Sequence, residues 1–155
     1  MKRVDQEIID RLCREAAASP RRRAHLNLHE DLEEDVQRLL IAMQPGTYIR
    51  PHRHPEAYKK ETLVILQGQC TCFTFAEDGS IADSITLDPN SSIHLCEIPD
   101  LEWHNVVCLT NDTVMLEFKR GPYVPLAPEN FAPWAPEEGS SNGPDYVKSL
   151  VTRAS

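Results

Sequence analysis

The chain has 155 residues, 41% of them hydrophobic, and a formal net charge of −8 at pH 7. That is enough to bury one good core and too little for two ordinary domains. The acidic balance argues against general nucleic-acid binding, which needs a basic face to displace counterions from phosphates, and the apolar runs are too short to span a membrane.

The first twenty residues carry charges throughout and lack an apolar stretch, so they do not read as a signal peptide. Five cysteines, an odd number, then fit reduced thiols in a protein expected in the cytoplasm. Val4, Ile8, Ile9 and Leu12 fall on one helical stripe ending at Ser19-Pro20. Such a helix would pack outside a core or on a second subunit. Residues 21 to 35, RRRAHLNLHEDLEED, have no clean period and read as an irregular connection or an extended arm.

From 36 to 119 strand signals follow one another, with runs at Val36–Met43, Thr47–Arg50, Thr62–Gln67, Cys70–Phe75, Ile81–Leu87, Ile93–Ile98, Trp103–Leu109 and Thr113–Lys119. Gln44-Pro45-Gly46, Gln67-Gly68-Gln69, Glu77-Asp78-Gly79, Asp88-Pro89-Asn90 and Thr110-Asn111-Asp112 supply the reversals. No helical crossover lies between the runs, so the sheet is expected to be antiparallel, as an all-β barrel or jelly roll. In the last run Val114, Leu116 and Phe118 are expected to face the core, leaving Glu117 and Lys119 outside. Proline then recurs through GPYVPLAPENFAPWAPEEGSSNGP, where strand pairing is difficult; Tyr123, Phe131 and Trp134 would pin this tail. A short helix is expected from Asp145 to Arg153. The organisation is one domain: helix and polar, basic arm at 1–35, β core at 36–120, Pro-rich extension at 121–155.

The chemistry concentrates at His52, His54, Glu61 and His104. Three imidazoles and a carboxylate suit one divalent iron, manganese, nickel or zinc ion better than calcium or magnesium. On an extended chain His52 and His54 project from one face, their Cα atoms roughly 6.5 Å apart. Tyr48 and Arg50 share that parity, provided Pro51 does not break the strand. Arg50 is then either a carboxylate or phosphate clamp or a residue exposed at the rim. Tyr48 would face the same cavity as a candidate catalytic residue. The basic cluster Arg21, Arg22 and Arg23, with His25, Asn27 and His29, either folds over the mouth to hold an anion or is a solvated connector.

Gly46, His52-x-His54, Glu61 and Gly68 closely resemble the first cupin motif, with a longer His-to-Glu gap than usual. Pro99 and His104 look like the second, with Leu101 where that motif normally has glycine. The wider pattern SPRRRAHLNLH, RPHRHP, GPYVP and FAPWAPEE, over residues 19 to 138, is similar to the WbuC-like cupin-fold metalloproteins, named from polysaccharide (O-antigen) gene clusters. The resemblance implies a jelly-roll barrel with His52, His54, Glu61 and His104 on the metal. It also favours Asn27 and His29 as functional residues of the arm.

A divalent ion on three neutral imidazoles and one carboxylate has a net charge of about +1, which in a low-dielectric barrel favours a small anionic ligand. Four protein ligands close a tetrahedral zinc site, whereas an octahedral ion keeps two positions open for an isomerase, epimerase or dioxygenase reaction. Glu61 can also leave the metal and act as a base. The alternative is a non-catalytic barrel that binds a sugar or sugar nucleotide. The N-terminal helix and the sheet edges offer surfaces for a homodimer.

Overall fold

The computed structural model describes residues 1–154. Helix α1 (Gln6–Ala18) is followed by strands β1 (Arg23–Asn27), β2 (Val36–Met43), β3 (Glu61–Gln67), β4 (Cys70–Phe75), β5 (Ile81–Leu87), β6 (Leu95–Ile98), β7 (Trp103–Cys108) and β8 (Thr113–Arg120), and by helix α2 (Gly143–Arg153). All strand pairs are antiparallel, in a five-stranded sheet ordered β1-β2-β8-β3-β6 and a three-stranded sheet ordered β5-β4-β7. The result is a jelly roll of the cupin type. Contrary to the expectation of a barrel, the two sheets face each other without closing into a continuous hydrogen-bonded ring.

Two strand assignments change. Residues 47–50 form no strand, because Pro51 lacks the amide a ladder needs. The arm, by contrast, contains β1, which pairs along β2 from Arg23↔Met43 to Asn27↔Leu39. Its polar side chains hide a strand held by backbone hydrogen bonds.

Side chains fill three layers. Between the sheets lie Ile41, Met43, Leu63, Ile65, Cys70, Cys72, Leu87, Cys96, Ile98, Val106, Cys108 and Met115. On the outer face of the larger sheet, Leu12, Cys13 and Ala16 of α1 pack on Leu40, Ala42 and Val114. Asp5 caps this helix by accepting from the Ile8 amide. On the outer face of the smaller sheet, Phe73, Phe75, Trp103 and Val107 lie under Ala132, Ala135 and Leu150 of the tail and α2. Each large apolar side chain taken from water this way contributes about 1.5–3 kcal/mol. Where α1 covers β2 and β8 and the tail covers β4 and β7, inward and outward positions are alike in hydrophobicity.

That cover overturns the expectation for β8. Val114 faces α1 and Met115 faces the sandwich interior. Leu116 and Phe118 are only half-buried, and Glu117 and Lys119 continue the inward row of Met115. The apolar residues mark the helix-covered side, and the two charged residues point into the molecule.

Gly68 turns the chain between β3 and β4 with φ +72°, and a Cβ there would stand 2.5 Å from Thr113 Oγ1 and 2.8 Å from Thr113 Cα. Only glycine fits both the angle and the space.

Candidate metal centre

His52 is fixed by the backbone rather than by a regular strand. Its N–H donates to His104 O (3.0 Å) and the His104 N–H donates back to His52 O (2.9 Å). This bridge ties the β2–β3 loop to the start of β7. Glu61 opens β3, paired with Lys119 of β8 on one side and Ile98 of β6 on the other. Three segments, the β2–β3 loop, the start of β3 and β7, thereby deliver His52, His54, Glu61 and His104 to one point, with one donor atom from each lying within 4.8 Å of the others.

The imidazoles are oriented locally. His52 Nδ1 lies 2.9 Å from Arg50 O and His104 Nδ1 lies 2.8 Å from Glu102 O, in each case the carbonyl two residues upstream. A carbonyl can only accept, so both Nδ1 atoms carry the proton and both Nε2 atoms keep a lone pair for the site. His54 Nε2 is 2.6 Å from Glu61 Oε1, and His104 Nε2 is 3.2 Å from Glu61 Oε2.

With its proton committed to Nδ1, His104 Nε2 faces a carboxylate oxygen as one acceptor facing another, and it has no hydrogen-bond partner. A cation between them, or a second proton on the ring, resolves the clash. This donor set therefore fits a divalent metal.

The electrostatics agree. Burial pushes the His52 pKa down to about 3, with His104 adding to the fall. His104 loses by burial too, but its contact with Glu61 outweighs that and raises its pKa. Burial opposes the Glu61 charge, yet His104 and His54 hold its carboxyl well below the usual range. Glu61 is an anion in a buried site, the form a metal needs.

The four residues line a cavity of about 340 Å³ whose walls include Ile41, Ile49, Leu63, Val106, Met115 and Phe131. Arg50 lines it, with Nη2 donating to Ala132 O at 2.9 Å and Nε buried without a partner. Arg23 also reaches the cavity, but its guanidinium is occupied. Nη2 meets both Glu138 oxygens at 2.8 Å and Nη1 donates to Tyr48 O at 2.8 Å. Asn27 and His29 lie instead in an adjoining hollow that meets the first at His25, Ile41, Glu117, Lys119 and Tyr123. His29 is buried, its Nδ1 accepting from the Arg38 amide at 3.0 Å.

Tyr48 points away. Its hydroxyl donates to Pro136 O at 2.7 Å and its ring packs edge-on against Tyr146. The shared parity with His52 fails because the segment is not a strand.

Sequence reasoning missed Glu117, Lys119 and Lys59. Lys119 Nζ is 3.2 Å from Glu61 Oε1 and 2.7 Å from Glu117 Oε1. Lys59, also buried, reaches Glu56 at 3.2 Å and Pro122 O at 3.4 Å. A glutamate and a lysine within the otherwise apolar run of β8 were the available signal, since a polar residue in a core strand is more informative than an apolar one.

The fold and the buried three-histidine, one-carboxylate cluster define a cupin-type protein with a candidate metal centre. The chain belongs to the family described as "Domain of unknown function (DUF6016)", whose model matches residues 4–87, a stretch that includes His52, His54 and Glu61 and stops short of His104. No curated protein matches it. Among solved structures it is similar to a salicylate 1,2-dioxygenase variant from Pseudoaminobacter salicylatoxidans in complex with gentisate, with TM-score 0.56 and 12% identity over 77% of this chain and 33% of that one. It is also similar to KdgF from Halomonas sp., with TM-score 0.51 and 14% identity over 66% of this chain and 82% of that one. A cupin superfamily protein from Desulfitobacterium hafniense matches with TM-score 0.48 and 17% identity over 63% of this chain and 76% of that one. Among the described residues no helix is long and apolar enough to cross a membrane.

Proposed function

We propose that the protein is a mononuclear metal-dependent enzyme of the isomerase, epimerase or dioxygenase type, acting on a small acidic, carbohydrate-related molecule. The observation that carries this reading is that His52, His54, Glu61 and His104 converge on the wall of a cavity of about 340 Å³ rather than in a closed shell. A structural metal needs no such space beside it. A divalent ion held by these four residues would supply Lewis-acid polarisation.

The chain's own residues do the rest. Arg50 offers an unpaired buried Nε–H to an anionic group, and Ile41, Leu63 and Met115 supply apolar surface beside the cluster. Glu61 is positioned to take a proton if it leaves the metal. The WbuC-like pattern supports a place in polysaccharide (O-antigen) biosynthesis. The dioxygenase that is similar in fold is in complex with gentisate.

The test is elemental analysis of the protein beside His54→Ala, followed by substrate screening with and without oxygen. Stoichiometric iron, manganese or nickel, lost in the variant while both stay folded, supports the enzyme. Turnover without oxygen selects an isomerase or epimerase, and oxygen consumption selects a dioxygenase. Tightly held zinc whose removal unfolds the chain supports the alternative, a sugar-binding protein with a structural metal.

A further inference from the structure

Beside Glu61, on the same Oε1 atom that His54 Nε2 meets at 2.6 Å, lies a buried charge pair that metal ligation alone does not require. Strand register puts Lys119 opposite Glu61 and Glu117 opposite Leu63, so the two β8 residues stand directly across from the first turn of the site. The Lys119 ammonium bridges the two carboxylates, 3.2 Å from Glu61 Oε1 and 2.7 Å from Glu117 Oε1. The Lys119 side chain is 16% exposed and that of Glu117 is 8% exposed. Burying a lysine and a second glutamate is expensive unless each is paired. A buried pair set against Glu61 calls for a role.

We infer that Lys119 is a positioning residue for the metal centre, holding Glu61 in its ligating orientation through Oε1, and that Glu117 holds Lys119 in turn. The inference rests on the reading of Glu61 as a metal ligand. A carboxylate on a free side chain can rotate, and each rotation takes an oxygen off the metal. An ammonium fixed to a neighbouring strand removes that freedom. Because Lys119 and Glu117 neutralise each other, the arrangement steers Glu61 without changing the net charge that the metal meets. Both residues also stand where the main cavity meets the adjoining hollow.

The experiment uses the full chain, stripped of metal and reloaded with zinc for affinity by chelator competition, and with cobalt(II) for its d–d absorption spectrum. Lys119→Met should weaken zinc binding about 10- to 100-fold and alter the cobalt spectrum, as loss of an outer partner of a ligand does elsewhere. Lys119→Arg, which keeps a positive charge within reach of both carboxylates, should restore most of both. Since Lys119→Met leaves the buried Glu117 carboxylate without its ion-pair partner and can fail to fold, the double variant Glu117→Gln/Lys119→Met serves as the neutral counterpart and should show the same weakening. Unchanged affinity and spectrum in a folded variant would overturn the inference. So would tighter zinc binding, which would make Lys119 simply a charge opposing the metal. A parent protein that binds neither zinc nor cobalt would instead overturn the metal reading itself.

Discussion

His52 and His104 exchange both backbone hydrogen bonds, at 3.0 and 2.9 Å, and their rings lie 4.5 Å apart at the centroids. Two histidines far apart in the chain are thus made neighbours by main-chain atoms, which no side-chain substitution removes. His52→Ala should therefore keep the fold while lowering retained metal roughly tenfold or more after a chelating wash. Metal analysis beside circular dichroism checks this, and a variant that unfolds without metal would show that the ring contacts hold the two segments.

Acid should destabilise the metal-free protein well before ordinary carboxylates titrate. The His52 pKa is depressed from 6.5 to about 3 by burial, so the unfolded chain takes up a proton that the folded one refuses. Stability from this group is full above pH 6.5 and falls by about 1.4 kcal/mol per pH unit at most as pH drops toward 3. His104 has the opposite sign: its pKa is raised by Glu61, so its contribution is present below pH 6.5 and lost as pH rises through its folded value. Denaturant melts of the apo protein between pH 3 and 8 should show the fall on the acid side. A flat profile there would contradict a neutral, buried His52.

Glu138 should prove important despite its place in a Pro-rich tail. It accepts from Arg21 at 2.7 Å and from Arg23 at 2.8 Å, and the Arg23 side chain is only 5% exposed. Because Glu138 itself keeps 35% of its side-chain surface in water, its removal is expected to cost less than breaking a fully buried pair, about 1–3 kcal/mol. Glu138→Ala should lower the melting temperature and speed amide exchange around Ala132 and Ala135. An unchanged melting temperature would show that the ion pair contributes nothing.

Leu101 stands where the second cupin motif normally has glycine, and it adopts φ +68° with the residue 52% exposed. The conformation that favours glycine is kept although the glycine is not. A leucine in the left-handed region costs about 1–2 kcal/mol, and glycine gives part of that back as unfolded-state entropy. Leu101→Gly should then stabilise the protein by about 0.5–1 kcal/mol in a denaturant melt. Destabilisation would mean that the leucine side chain makes a compensating contact.

Much of this molecule was legible before folding was considered. The amphipathic stripe marked α1, the turn residues marked most strand boundaries, and the spacing of His52, His54, Glu61 and His104 marked the cluster that the structure gathers. The errors share a cause. Alternation tells the two faces of a strand apart only when one of them meets water, and in β8 both are covered, by α1 outside and by the second sheet inside. Val114 and Met115 are equally apolar, so the parity of Glu117 and Lys119 was read backwards. Tyr48 was placed in the cavity by a strand that Pro51 prevents. Strand β1 was overlooked because backbone pairing leaves little trace in a sequence such as RAHLN.

The sequence by itself determined the kind of fold and the chemistry of the cluster, because periodicity, turn residues and donor types are local properties that survive without tertiary context. Only the tertiary structure decided which side chains share the cavity. It set Lys119 against Glu61, occupied Arg23 with Glu138 and turned Tyr48 toward Pro136, since those outcomes depend on strand register and on what covers each face, which are fixed only when distant segments pack.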